Sequence, residues 1–324
     1  MKLSAGWVKL LLPLVLGAVI ALVALLLPGQ PREGEVPDIA LVMKSLANEF
    51  FLTMEQEARE HNAQGEEQYR LIANGIRNES DISGQVRIVE NMIAQDVDAI
   101  IIAPADSRAL IPVCERAIRE GIVVINIDNR FDRETLEERS LTIPFVGPDN
   151  QRGARKVGEY LASRLSPGDG AVIIEGIPTA YNSQQRSKGF EEALTANGIE
   201  ILARRSGEWD MEQANVVVTS LLNEFPNLRG VACANDSMAL GAVAAIKAVG
   251  KQDEILVVGF DNISAVQEML RNGQILATAD QFAGSIAVFG IEYALEMLRR
   301  GSPMNDLQTP VELITSETVK QGKD

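Results

Sequence analysis

The chain has 324 residues, 46% of them hydrophobic and only 5% aromatic, and carries a formal net charge of −15. That length accommodates two domains that each bury a core, and the composition suits an α/β protein rich in Val, Ile, Leu and Ala. An acidic chain without a concentrated basic surface speaks against nucleic acid as a partner. Two isolated cysteines and one histidine speak against a zinc cluster and against histidine-centred catalysis.

At the start of the chain, Leu10 to Leu27 form an 18-residue run without a charge, preceded by Lys2 and Lys9 and followed by Pro28-Gly29-Gln30-Pro31. Basic flank, apolar run and polar tether mark an export segment. The run reaches the length of a membrane-spanning candidate, and no Ala-x-Ala pattern closes it. It is read as a signal or membrane anchor, with an uncleaved anchor preferred. The positive-inside rule places the rest of the chain outside the cytoplasm, and residues 28–37 form a short tether.

From Asp38 onward short apolar runs alternate with helical patterns. Strands are predicted at Asp38–Met43, Tyr69–Ala73, Ala99–Ala103 and Val123–Asp128, then at Ala171–Glu175, Val231–Ala234 and Leu256–Phe260. Their continuous β-branched character suits strands buried on both faces. Helices are predicted at Ser83–Ala94, with Asp81 as cap, and at Arg152–Leu165, Arg186–Asn197, Met211–Leu222 and Ser237–Val249. Regular alternation predicts parallel sheets with right-handed crossovers. It loosens at the charged stretch Asp132–Thr142, before strand-like Ile143–Val146 and the turn-former Gly147-Pro148. The lobe boundary is placed there. Further crossings are expected at Thr278–Gln281 and near Glu312.

Short motifs close several of these runs: Lys44-Ser45-Leu46-Ala47-Asn48-Glu49-Phe50-Phe51, Ile127-Asp128-Asn129-Arg130, Cys233-Ala234-Asn235-Asp236 and Gly259-Phe260-Asp261. In open α/β sheets ligands bind beyond the carboxyl ends of the strands. Each motif supplies amides, carboxylates, cations or rings suited to a neutral polyhydroxylated molecule, and none pairs a nucleophile with a base. Each also has a plainer use. Phe50 and Phe51 could pack a helix start, Asp128 and Asp261 could serve turns, Lys44 could be solvated, and Trp209 could be core. Asp236 is read as a helix cap and left out of the site.

With these motifs in order, the chain from Asp38 to its end resembles periplasmic sugar-binding proteins of bacterial ABC importers, the ribose-binding type, and among them the D-allose binders. Besides the motifs above, Phe145-Val146-Gly147-Pro148-Asp149-Asn150, Ile173-Ile174-Glu175-Gly176 and Trp209-Asp210 carry the likeness. The resemblance implies two similar doubly wound α/β lobes joined by three crossings, behind an N-terminal apolar helix. The N-terminal lobe would be 38–148 with 282–312, and the C-terminal lobe 149–281 with 313–324. It implies a ligand site of Lys44, Asn48, Phe50, Phe51, Asp128, Asn129, Arg130, Arg186, Trp209, Asn235, Asp261 and Gln281, with no catalytic residue, cofactor or metal. Two departures stand out. Ribose binders have serine where this chain has Lys44, and Asn129 intervenes before Arg130 where they have arginine directly. Tyr181 or Asn182 could also trim the pocket.

The rings would cover the apolar faces of a pyranose, while charged and amide groups serve its hydroxyls. The expected function is an extracytoplasmic receptor that captures a monosaccharide, an aldose such as allose or ribose, and delivers it to the membrane subunits of an ABC permease. The alternatives are a membrane-anchored sugar sensor serving a signalling receptor, or a binder of a cyclic polyol such as inositol. No G-x-G-x-x-G, G-x-x-x-x-G-K-[ST] or G-x-S-x-G motif supports an enzyme.

Overall fold

A computed structural model describes residues 36–65 and 69–321. The apolar run 10–27 lies outside them. Among the described residues no helix is long and apolar enough to cross a membrane.

The chain builds β1 (Asp38–Ser45), α1 (Glu49–Gln64), β2 (Arg70–Ile76), α2 (Ile82–Ala94), β3 (Ala99–Ile102), α3 (Ile111–Arg119), β4 (Val123–Ile127), α4 (Arg133–Glu138) and β5 (Phe145–Pro148). It then crosses to α5 (Asn150–Ala162), β6 (Gly170–Glu175), α6 (Tyr181–Ala196), β7 (Glu200–Ser206), α7 (Met211–Glu224), β8 (Leu228–Cys233), α8 (Asp236–Ala248), β9 (Leu256–Val258), α9 (Ser264–Asn272) and β10 (Ala277–Asp280). It returns through α10 (Ala283–Arg300) and β11 (Leu307–Thr309), then crosses again into β12 (Glu312–Thr315) and α11 (Ser316–Gln321).

Two six-stranded sheets result, ordered β11-β5-β4-β3-β1-β2 and β12-β10-β9-β8-β6-β7. Among the described residues only the β10–β12 pairing is antiparallel. The two orders are equivalent, and each reverses direction beside its first strand, at β1/β3 and at β6/β8. Such switch points open a crevice at the carboxyl ends of the strands. The two crevices face each other across three crossings, after Pro148, after Asp280 and between β11 and β12.

The central strands are buried on both faces, and the two-residue period sorts their side chains into separate cores. Ile39, Leu41, Met43 and Ile101 enter one cluster, while Ala40, Val42, Ile100 and Ile102 enter another. Burying each such aliphatic side chain contributes roughly 1.5–3 kcal/mol, which holds the strand ends, and hence the crevice, in place. Cys114 and Cys233 are free and buried in these cores. Burial pushes the Cys114 thiol up to about 12.

The differences from the expected elements have local causes. The charged stretch after Asp132 is not a bare connection: Asp132 accepts the Thr135 N–H and caps α4 inside the first lobe. Helix α6 begins at Tyr181, five residues ahead of Arg186, because its first turn is polar and faces the crevice. Strand β7 was not foreseen; it is an edge strand whose sequence, EILARRS, is largely half-exposed.

Candidate functional site

Seven of the twelve residues that line the cleft stand at or just past the carboxyl end of a strand. Lys44 is the penultimate residue of β1, Glu79 follows β2, and Asp128 follows β4 directly. Trp209 follows β7, Asn235 follows β8, Asp261 follows β9 and Gln281 follows β10. Asn48, Phe50 and Phe51 form the start of α1, and Asn182 and Arg186 the first turns of α6. Together these twelve side chains line a small cavity between the lobes.

Two asparagines do double duty. Asn48 caps α1 by accepting the Phe50 N–H, and Asn235 caps α8 by accepting the Met238 N–H. Capping orients each amide so that Nδ2 remains as donor. Asn48 gives it to Glu79 Oε1 at 3.3 Å and Asn235 to the Trp209 carbonyl at 3.2 Å. Phe50 and Phe51 meet edge to face at 5.1 Å.

The charges form two pairs, one per lobe. Lys44 Nζ lies 2.9 Å from Asp128 Oδ2, both almost fully buried, and 5.6 Å from the rings of Phe51 and Trp209. Arg186, 2% exposed, donates from Nε to Asn150 Oδ1 at 2.7 Å and from Nη1 to the Ala234 carbonyl at 2.9 Å. Nη1 also reaches Asp261 Oδ1 at 3.4 Å. Its guanidinium stacks on Phe260 at 3.8 Å. Gln281 Nε2 donates to the same Asp261 oxygen at 2.7 Å. Burial nevertheless raises the Asp261 carboxyl well above the usual range, against the opposing pull of Arg186. Burial likewise raises Glu79 to about 7, opposed by Lys44 and Asn48.

Three lining residues, Asp128, Trp209 and Asp261, have φ of +58°, +66° and +125°. Such backbone costs roughly 1–3 kcal/mol per residue and gathers at functional sites. The indole of Trp209 packs flat over Gly176, where an added Cβ would lie 2.0 Å from Cε2. A methyl group there must displace the ring from the cavity. Gly176→Ala is therefore expected to weaken ligand binding at least tenfold, by the loss of an aromatic contact, and to change the tryptophan emission of the free protein. Equal affinity in the variant, read by titration calorimetry, would show that Trp209 is not used.

Buried polar atoms without a partner converge on the same space. They are Glu79 Oε2, Asn182 Oδ1, Arg186 Nη2, Trp209 Nε1 and Gln281 Oε1. Leaving a buried donor or acceptor unpaired costs about 1–3 kcal/mol. Two donors and three acceptors thus await a small molecule that both gives and takes hydrogen bonds.

Ten of the twelve residues expected from the sequence line the cavity, and Asn129 and Arg130 do not. The left-handed backbone of Asp128 turns the chain so that Asn129 points away from the cavity. There its Nδ2 donates to the Pro104 carbonyl at 2.9 Å, and its Oδ1 accepts the Asn182 N–H of the other lobe at 3.1 Å. Arg130 emerges in a separate groove, paired with Asp306 at 2.7 Å and stacked on Phe145 at 4.3 Å. Glu79 and Asn182 line the cavity besides those ten. Tyr181 borders the Arg130 groove instead of the cavity.

Asn129 is part of a clasp between the lobes. Ser107 Oγ accepts the Tyr181 N–H at 2.9 Å, and on the opposite side Glu49 Oε1 accepts the Ser264 N–H at 2.7 Å. Asn129→Ala is expected to weaken ligand binding about fivefold, the equivalent of one hydrogen bond of ~1 kcal/mol that forms only on closure. The measurement is calorimetric, and an unchanged Kd would show that the bond does not favour the closed form.

Two α/β lobes joined by three crossings and closed on a small polar cavity define a hinge-bending receptor for a small solute. The chain belongs to the periplasmic binding protein family: the periplasmic binding protein domain matches residues 39–302. It is 53% identical over 286 residues to a D-ribose/D-allose-binding protein of Pseudomonas aeruginosa, covering 87% of this chain and 90% of that one. Among solved structures, an ABC transporter solute-binding protein of Burkholderia multivorans, whose unknown ligand was built as alpha-D-erythrofuranose, superposes with a TM-score of 0.85 at 51% identity, covering 87% of this chain and all of that one. An ABC transporter periplasmic solute-binding protein of Actinobacillus succinogenes with bound D-allose gives 0.83 at 36% identity, covering 88% and 99%.

Proposed function

We propose that this chain captures one neutral monosaccharide, an aldose of the allose or ribose class, in the interlobe cavity outside the cytoplasm and delivers it to the membrane subunits of an ABC importer. The observation that carries this reading is the convergence of unpaired donors and acceptors, among two ion pairs and aromatic rings, on one small cavity. A hydroxyl is the group that donates and accepts at once, and a sugar presents several on an apolar ring. Opposed pairs, Lys44 with Asp128 and Arg186 with Asp261, suit a neutral ligand better than a phosphorylated one. The names of the relatives support the same class. Hydrogen bonds to such charged groups are worth roughly 1.5–3 kcal/mol each, enough for several of them to hold the lobes closed.

The test is calorimetric titration of the purified protein with D-allose, D-ribose, D-glucose, D-galactose, myo-inositol and a sugar phosphate. Micromolar or tighter binding of one aldose, recovered unchanged afterwards, is the expected result. Tight binding of the phosphate alone would overturn the neutral-sugar reading, and tight binding of inositol alone would move the site to cyclic polyols. The 18-residue apolar run at 10–27 supports retention at the membrane, which fractionation of the expressed full chain tests.

A further inference from the structure

Glu79 stands on the loop between β2 and α2, in a stretch whose other polar residues serve the turn and the cap of α2. Asp81 caps that helix and Asn78 Oδ1 accepts from Ser80; Glu79 does neither. Its side chain is buried and runs into the cavity. Oε1 is held by Asn48 Nδ2, whose own orientation is set by capping α1. Oε2 is buried and has no partner. The charged groups around it are Lys44 from β1, Asp128 from beyond β4, and Asp210 of the opposite lobe. A carboxyl oriented by a helix cap, with one oxygen used and the other free, is arranged to meet something in the cavity.

We infer that Glu79 binds the ligand directly through Oε2 and selects a ligand that presents a hydroxyl donor at this corner of the cavity. The inference rests on the sugar-receptor reading above. A hydroxyl donating to the carboxylate makes a charge-assisted bond, and a ligand without that hydroxyl leaves a buried oxygen unpaired and is rejected. Linkage adds a second consequence. Burial leaves the free carboxyl titrating at about 7, and a hydroxyl bonded to the ionised form lowers that value. Ligand binding then releases a proton. Affinity is full above neutrality and falls as the pH drops through the free protein's value.

The experiment titrates the full-length wild type, Glu79→Gln and Glu79→Ala with D-allose and D-ribose at pH 8 and pH 5.5, with thermal melts to verify folding. Wild type is expected to bind one sugar about tenfold more weakly at pH 5.5. Glu79→Ala is expected to bind at least tenfold more weakly than wild type at pH 8, and Glu79→Gln to lose most of the pH ratio. Glu79→Gln keeps the side-chain shape, so it decides the matter should Glu79→Ala fail to fold. Variants within twofold of wild type at both pH values would overturn the role of Glu79 while leaving the sugar reading intact. A folded wild type that binds neither sugar would overturn both.

Discussion

Replacing Arg186 by methionine is expected to weaken sugar binding at least 100-fold and to lower the stability of the ligand-free protein by about 3–5 kcal/mol. Methionine retains the apolar contact with Phe260 and Trp209 but removes the charge and all the donors. Nη2 is the unpaired guanidinium nitrogen aimed into the cavity, so the ligand loses a charge-assisted bond. The folded protein loses more. Asp261 would keep only Gln281 as a partner, the Ala234 carbonyl and Asn150 would lose theirs, and Asp128 and Asp236 would lose a nearby cation. Without Arg186 the Asp261 carboxyl rises further and takes up a proton more readily. The destabilisation is therefore smaller at pH 5 than at pH 8. Arg186→Lys supplies the charge without the planar fork and is expected to fall between the two. Calorimetric titration and urea denaturation at both pH values check this. Micromolar binding retained by Arg186→Met would remove Arg186 from the site.

The fold was largely legible because its strands are buried on both faces. A run such as Ile39–Met43 or Ile100–Ile102 has one stable use, and its alternation with periodic helices leaves a parallel sheet as the consistent arrangement. Legibility failed where burial is one-sided or brief. In β7 the residues Arg204 and Arg205 are exposed, and without an apolar run the segment reads as loop. Strands β11 and β12, each four residues or shorter, pair because the crossings bring them to a sheet edge, which local pattern does not reveal.

The site divides in the same way. Asn48, Asp128, Asn235 and Asp261 were visible because each ends an apolar run, and Trp209 and Gln281 through the family likeness. Asn129 was misplaced by one residue of backbone geometry: the positive φ of Asp128 sends its neighbour to Pro104 and the other lobe, not to the cavity. Glu79 was missed because Asn78-Glu79-Ser80-Asp81 reads as a turn and a cap. Its position past Ile76 was the available signal, since Trp209 and Asp261 stand equally far beyond the ends of β7 and β9. A polar residue at that distance past each strand deserved the same reading.

Burial of carboxyls in the cleft and behind it gives the stability of the ligand-free protein an unusual dependence on pH. Asp236 is fully buried and raised to about 7, Glu79 to about 7, and Asp261 well above its ordinary value, in each case mainly by burial. In the unfolded chain such groups titrate near 4. A raised carboxyl stabilises the fold fully below the unfolded value, and the contribution is lost as pH rises through the folded value. Stability is thus expected to fall between about pH 4 and pH 7 and to level off above it. Asp132 and Asp306 are lowered, by hydrogen bonds to Thr135 and to Phe145 and Arg130, and act oppositely, but below pH 4. The maximum is expected near pH 4. Asp236→Asn isolates one contribution. Asp236 accepts from Thr278 Oγ1 at 2.7 Å and from the Ile263 N–H at 3.0 Å. An asparagine can accept from Ile263 and donate to the Thr278 hydroxyl, so the network survives without a charge to bury. A shift of about three pH units corresponds to on the order of 4 kcal/mol, and a domain of this size gains roughly 2–4 °C per kcal/mol. Asp236→Asn is therefore expected to melt about 8–16 °C above wild type at pH 8 and only about 3–5 °C above it at pH 5. A wild-type melting temperature that rises from pH 5 to pH 8, or a variant that melts below wild type at pH 8, would show that Asp236 is ionised and stabilising in the folded protein.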